Sequence, residues 1–360
     1  MPAATRLAGV AAAMLMLAGG LSAQGRGGRG GGGAPPPPDP CDRPCLEGFV
    51  NQYLDALVAH NAFGLPFAQK VKFSENGQLL ELGDGLWNVT TDIGTYKLYA
   101  TDPQSGQVGF LGTVMENGRP VALALRLKVD NRKISEIETF VYRAAGGPPP
   151  GGRGGRGGDA KAPPPPPPAP TGAAAMELMK PDPVLQEIVP QNQRVSRNGL
   201  LKAVNVYLDA IENGNADNDA FHPDCERIGN GTKITHNPAL TLAGADWNPF
   251  TLGCAEQINS KMYSYIQVVY PRRFPIVDEE RQLVFSFSTF QIPGDILSVQ
   301  SPGHGILKMT DANTQPGFLA VPELFRVKDG KIRRAENLVI NLPYGTPDPF
   351  FNDDWRRTKK

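Results

Sequence analysis

Two segments of this chain carry the same helical pattern of apolar positions. Phe49, Val50, Tyr53, Leu54 and Leu57 recur at the spacing of an amphipathic helix, as do Ala203, Val204, Tyr207, Leu208 and Ile211. Elsewhere the apolar period falls to two. Residues 119–142 read as strand, turn, strand, with Val121, Leu123, Leu125, Leu127 and Val129 on one face and Asp130-Asn131 at the turn. Residues 317–341 repeat this around Asp329-Gly330, a strong hairpin signal. Further strands, rich in aromatic and branched residues, are predicted at 262–270 and 282–291. A helix followed by a long antiparallel meander that closes in a hairpin predicts an α+β fold.

The patterned segments are copies of each other. A shift of 154 places Leu46–Gly77 on Leu200–Gly231 without a gap, with 12 identities in 32 positions, among them Asn76/Asn230 and Gly77/Gly231. A shift of 198 places Val129–Val141 on Val327–Val339, so the second copy holds 44 more residues in its middle.

Composition divides the rest. The chain has 41 Gly and 35 Pro in 360 residues, concentrated in 25–40 and 144–175, where almost no apolar side chain is available to bury. These stretches are predicted linkers, flexible where Gly-rich and stiffer where Pro-rich. Their Arg-Gly-Gly runs also resemble RNA-binding segments, but the N-terminus argues otherwise. Arg6, the uncharged run Leu7–Leu21 and the small residues Ser22 and Ala23 before Gln24 have the pattern of a secretory signal peptide. That run is too short to span a bilayer, and nothing later approaches the length needed. The predicted layout is a signal peptide at 1–23, a Gly/Pro-rich linker at 24–40, a first domain at 41–143, a linker at 144–175, a second domain at 176–350 and a polar tail at 351–360. The mature chain is expected to be secreted or periplasmic, without a membrane span. Lys plus Arg and Asp plus Glu both number 36, which leaves no basic field for nucleic acid.

Four cysteines in an exported chain suggest disulfides, and four allow three pairings. Cys41 with Cys45 and Cys225 with Cys254 is the favoured pairing, because a long linker separates the two groups; crossed pairs and a zinc site are the alternatives. The lone C-x3-C lacks the second half that a zinc site needs, so no metal is expected.

With the helix written YLDAL or YLDAI, a turn near ENG or GNG and a closing V-x-D-G-K-I hairpin, both copies resemble the nuclear-transport-factor-2-like (NTF2-like) superfamily, which includes SnoaL-like cyclases, ketosteroid isomerase and scytalone dehydratase. Glu75–Trp87, Cys254–Ser260, Phe274–Val284 and Leu342–Phe350 more narrowly resemble DUF8021, a family of secreted proteins of unknown function. The resemblance implies two cone-shaped domains, each a curved antiparallel sheet wrapped around helices to enclose a cavity used for proton transfer, binding or dimer formation. It also implies that the two domains pack as a pseudo-dimer.

Candidate chemistry comes from comparing the copies. Glu323 stands where the first copy has Leu125, on the same strand face as Val321, Phe325 and Val327, and is the leading candidate for a general acid or base; the plain alternative is a structural ion pair with Arg326 or Arg334. His222, where the first copy has Ala68, is a candidate proton-transfer partner, or an ordinary loop residue before Pro223. Tyr207 can aim its hydroxyl into a cavity or simply pack in the core. Tyr263 and Phe325 are candidate substrate contacts. Arg272, in the charge-balanced run 272–281, is a candidate clamp for an acidic sugar or carboxylate, or part of a solvated turn at a hairpin bend. No serine-hydrolase, nucleotide-binding or zincin motif is present. These residues predict a cofactor-independent isomerase, dehydratase or lyase acting on a small or sugar-like molecule, with a non-catalytic ligand-binding or dimerisation module as the alternative.

Overall fold

The computed structural model describes residues 41–143, 170–242 and 245–351. The predicted signal peptide and first linker, residues 144–169 of the second linker and residues 352–360 of the tail lie outside the described residues.

The first domain runs α1 (Arg43–Val58), β1 (Phe67–Glu75), β2 (Gln78–Leu79), β3 (Thr90–Asp102), β4 (Gln107–Glu116), β5 (Arg119–Asp130) and β6 (Lys133–Tyr142). A short helix α2 (Ala173–Leu178) leads to the second domain. There α3 (Arg197–Asn213) is followed by β7 (Phe221–Gly229), β8 (Thr232–Lys233), α4 (Cys254–Asn259), β9 (Val268–Asp278) and β10 (Leu283–Ile292). The hairpin β11 (Ser298–Ser301) and β12 (Gly305–Lys308) then precedes β13 (Gly317–Lys328), β14 (Lys331–Asn337) and β15 (Ile340–Leu342). The first sheet has the order β2-β1-β6-β5-β4-β3, and the second has the same order as β8-β7-β14-β13-β10-β9. Both domains are of the α+β kind. Their sheets are mixed and not wholly antiparallel, because β1 pairs with β6, and β7 with β14, in parallel.

Local signals explain the elements. The Asp42 carboxylate accepts from the Cys45 N–H and Pro44 lies in the first turn of α1, while the Ser196 hydroxyl caps α3 and Gly214 closes it at φ 58°. Asn76-Gly77 and Asn230-Gly231 turn with positive φ at both residues. In each copy the turn asparagine does a second job: Asn76 Oδ1 accepts from the Val141 N–H at 2.8 Å, and Asn230 Oδ1 from the Val339 N–H at 2.8 Å. The strand expected at 262–270 begins only at Val268. Residues 261–266 instead form turns, with Lys261 at φ 65°, that deliver Met262, Tyr263 and Ile266 to the interior.

Alternation along the strands separates two apolar layers. Leu123, Leu125 and Leu127 face α1, and Val321, Phe325 and Val327 face α3. The opposite faces meet each other. Tyr96, Leu111, Ala122 and Ala124 of the first sheet pack with Ile276, Phe285, Phe287 and Leu324 of the second. Ala173 and Met176 of α2 are buried in this layer too, so ordered structure begins inside the stretch predicted as linker up to residue 175.

The run 272–281 departs from the expected solvated bend. Arg272 and Arg273 lie within β9, and Asp278 is fully buried. Asp278 accepts from Arg43 at 2.7 and 2.9 Å and from the Thr101 N–H at 3.0 Å, while Asp102 accepts from Arg197 at 2.5 Å and the Val277 N–H at 3.1 Å. Charges that look like a surface turn in sequence are paired across the contact between the domains. Cys41 is bonded to Cys45, and Cys225 to Cys254. No helix among the described residues is long and apolar enough to cross a membrane. Both observations are compatible with an extracytoplasmic protein.

Candidate functional site

Between α3 and the concave face of the second sheet lies a cavity of about 340 Å³. Its lining is mostly apolar: Ile211 from α3, Phe290 from β10, Leu307 from β12, and Leu319 and Val321 from β13. The segment after α4 contributes Met262, Tyr263 and Ile266, and the Cys225–Cys254 bond ties α4 to β7.

Three buried polar side chains form a patch of this lining, Arg227 from β7, Tyr263, and Asn337 from the end of β14; the more exposed Asn230, Lys308, Thr310 and Asn313 line it as well. Arg227 donates to the Tyr263 hydroxyl oxygen at 2.5 Å, and its guanidinium lies over the rings of Tyr263 and Tyr207 at 4.7 and 5.5 Å. Behind the patch sits Glu323, 1% exposed. The register sets it opposite Asn337, whose Nδ2 donates to Glu323 Oε1 at 3.0 Å, and the Tyr207 hydroxyl donates to the same oxygen at 3.1 Å. Burial raises the pKa of Glu323, partly opposed by the positive charge of Arg227 and by the bonds from Asn337 and Tyr207. Burial likewise lifts the Tyr207 phenol well above its ordinary value.

Of the predicted site residues, Tyr263 lines the cavity, and Tyr207 and Glu323 touch each other one layer behind it. Glu323 is therefore not bound to Arg326 or Arg334, and it is not on the cavity wall. Phe325 is fully buried with its ring edge-on to Tyr207 at 4.9 Å, so it supports Tyr207 and does not face a ligand. His222 lies on β7, not in a loop, and borders a separate shallow depression near the Cys225–Cys254 bond. There its Nδ1 accepts from the Asp224 N–H at 3.1 Å, and burial lowers its pKa despite the nearby Asp224 carboxylate. Alternation turns His222 away from the cavity that Arg227 enters. Arg272 is occupied by Asp209 at 2.6 Å and Glu212 at 2.7 Å on α3, and takes no part in the cavity. Among the described residues no group of three or more His, Cys, Asp or Glu is placed to hold a metal ion.

Arg227 and Asn337 were not singled out from sequence, yet the comparison of copies carries their signal. Arg227 stands where the first copy has Phe73, and Asn337 where it has Thr139, at the same shifts that pair Glu323 with Leu125. In the first domain Phe73, Leu125 and the Tyr53–Trp87 pair, 5.0 Å apart, are packed in the core.

The whole constellation falls within the segment that one family model matches. Residues 193–339 match the domain of unknown function DUF8021. The DUF8021 segment runs from just before α3 to just past β14, and so holds Tyr207, Arg227, Tyr263, Glu323 and Asn337. No curated protein matches the chain in sequence. Among solved structures, a protein from Sphaerobacter thermophilus is similar at 16% identity, covering 26% of this chain and 94% of its own, with a TM-score of 0.23. A proposed polyketide cyclase from Silicibacter sp. TM1040 is similar at 15% identity, covering 40% of this chain and 90% of its own, with a TM-score of 0.26.

Proposed function

We propose that the second domain is a binding site for a small organic molecule with an apolar body and one polar head, and that the first domain is its structural partner. The observation that carries this reading is a mostly apolar cavity whose buried polar groups are Arg227, Tyr263 and Asn337. A sugar fits less well, since its hydroxyls would face Ile211, Phe290 and Leu319 without partners. Leu319→Trp, which fills the cavity, should keep the fold by circular dichroism. It should also abolish the thermal stabilisation that ligands found by screening give the wild type, a shift worth about 2.7 kcal/mol at a ligand concentration of 100 Kd. Equal stabilisation of the filled variant would mean that the ligand binds elsewhere.

Binding ranks above catalysis because neither a carboxylate nor an imidazole is among the lining residues. The second reading, a cofactor-independent isomerase, dehydratase or lyase, has one observation in its favour. Glu323 is joined by a single hydrogen bond to Asn337, which faces the cavity. If Glu323 exchanges a proton with a bound substrate, Glu323→Gln should lower turnover of a screened substrate about 100-fold or more; a folded variant with full turnover removes the assignment.

The stability of the same variant has a definite sign. The folded pKa of Glu323 lies above its unfolded value, so its favourable contribution is complete below the unfolded pKa and is lost as pH rises through the folded one. Urea denaturation should therefore find Glu323→Gln at least as stable as wild type at pH 8 and without that advantage at pH 4.

A further inference from the structure

Among the described residues the buried arginines are Arg126, Arg227, Arg326 and Arg334. Arg126 meets Glu136 and Glu138, Arg326 meets Glu187, and Arg334 meets Asp182, Glu226 and Glu336. Arg227, 5% exposed, has no such ion pair among the described residues; its hydrogen-bond partners are the neutral Tyr263 hydroxyl and, at 3.4 Å, Gln257 Oε1. Its Nε is buried with no partner at all. Glu323 lies within electrostatic reach of Arg227 but shares no ion pair or hydrogen bond with it among the described residues, its Oε1 accepting from Tyr207 and Asn337. Asn337 Oδ1, on the same cavity, is a buried acceptor without a donor. A guanidinium does not lose its proton in a protein, so a buried one without a counter-charge is costly unless something else supplies it.

We infer that the cavity takes a small organic monocarboxylate, its carboxylate on the Arg227 fork and its apolar body along Ile211, Phe290, Leu319 and Val321. The inference rests on the reading of this cavity as a ligand site. A carboxylate matches the planar fork and supplies the directly bonded counter-charge that Arg227 lacks among the described residues. A phosphate would bring nearly twice that charge to a wall whose one buried cation is Arg227, the other lining cation, Lys308, being exposed. A hydroxyl or N–H beside the carboxylate would satisfy Asn337 Oδ1.

The test is calorimetric titration of the full chain with two matched pairs, octanoate against 1-octanol and 3-phenylpropanoate against 3-phenylpropanol. In wild type each acid should bind about tenfold or more tightly than its alcohol, the usual worth of a charge-assisted hydrogen bond. Arg227→Gln should bring acid and alcohol to equal affinity, while Arg227→Lys should retain part of the preference. Should Arg227→Gln fail to fold, the wild type still decides, because at a pH where the acids are protonated their preference over the alcohols should vanish. Equal binding of acid and alcohol to wild type at neutral pH overturns the carboxylate assignment and leaves the cavity reading intact. Undiminished acid binding in Leu319→Trp places the anion site elsewhere and overturns the assignment. Binding of neither member of either pair overturns it together with the cavity reading.

Discussion

Glu138→Ala should cost about 3–5 kcal/mol of stability, the amount expected when one partner of a buried ion pair is removed and the other charge is left behind. Glu138 is 1% exposed at the contact between the two domains. It accepts from Arg126 Nε of its own sheet at 2.7 Å and from Arg273 of the other domain. The arginines keep weaker support without it, Arg126 from Glu136 and Arg273 from Asp348, which places the effect toward the lower part of the range. Burial alone would raise the pKa of Glu138, but the charges of Arg273 and Arg126 outweigh it and hold the carboxyl below its ordinary value. A depressed folded pKa contributes stability that is present above the unfolded value, about 4.3, and disappears as pH falls through the folded one. Urea denaturation at pH 7 measures the loss directly. Repeated toward pH 3, it should show wild type losing stability and Glu138→Gln changing less. A cost below about 1 kcal/mol for Glu138→Ala would mean that the site is solvated, as exposed pairs are.

Asp278→Ala should cost about 3 kcal/mol, and Asp102→Ala a similar amount, because each carboxylate closes the same contact from opposite sides. Asp278, on β9 of the second domain, holds Arg43 at the start of α1; Asp102, on β3 of the first, holds Arg197 at the start of α3. Arg43 and Arg197 are equivalent positions under the shift of 154. Each carboxylate also accepts a backbone N–H from the facing strand, from Thr101 and Val277 respectively. In this reciprocity residue i of one domain meets residue j of the other and the reverse, the pattern that a two-fold arrangement of the domains would give. Chemical denaturation of both variants is the check. A large cost at one site with none at the other would break the two-fold reading.

Much of the fold was legible without coordinates. The two helical stripes, the Asn-Gly and Asp-Gly turns and the alternation from Val121 to Val129 are local features, set by the period of the backbone and by which residues tolerate positive φ. The repeat told more than either copy alone, because a carboxylate replacing Leu125 marks Glu323 on an inward face whatever the neighbouring elements do. The linker boundary was less legible: Ala173 and Met176 look like the end of a Pro/Gly-rich stretch, and only the packing of α2 on β3, β4 and β5 of the first sheet gives them a surface to bury.

The site divides along the same line. Sequence by itself determined that the second copy carries polar groups where the first is apolar, since that follows from aligned positions and strand period. It could not determine that Arg227 from β7, Tyr263 from the turn after α4 and Asn337 from the end of β14 meet on one cavity wall, with Glu323 one layer behind. Nor could it show that Arg272 is already held by α3 while Arg227 lacks a carboxylate. Those outcomes depend on contacts between residues 36 to 116 positions apart, as in Arg227–Tyr263 and Tyr207–Glu323. Pairing at such distances is set by strand order, register and the packing of α3 on the sheet, and only the tertiary structure decides it.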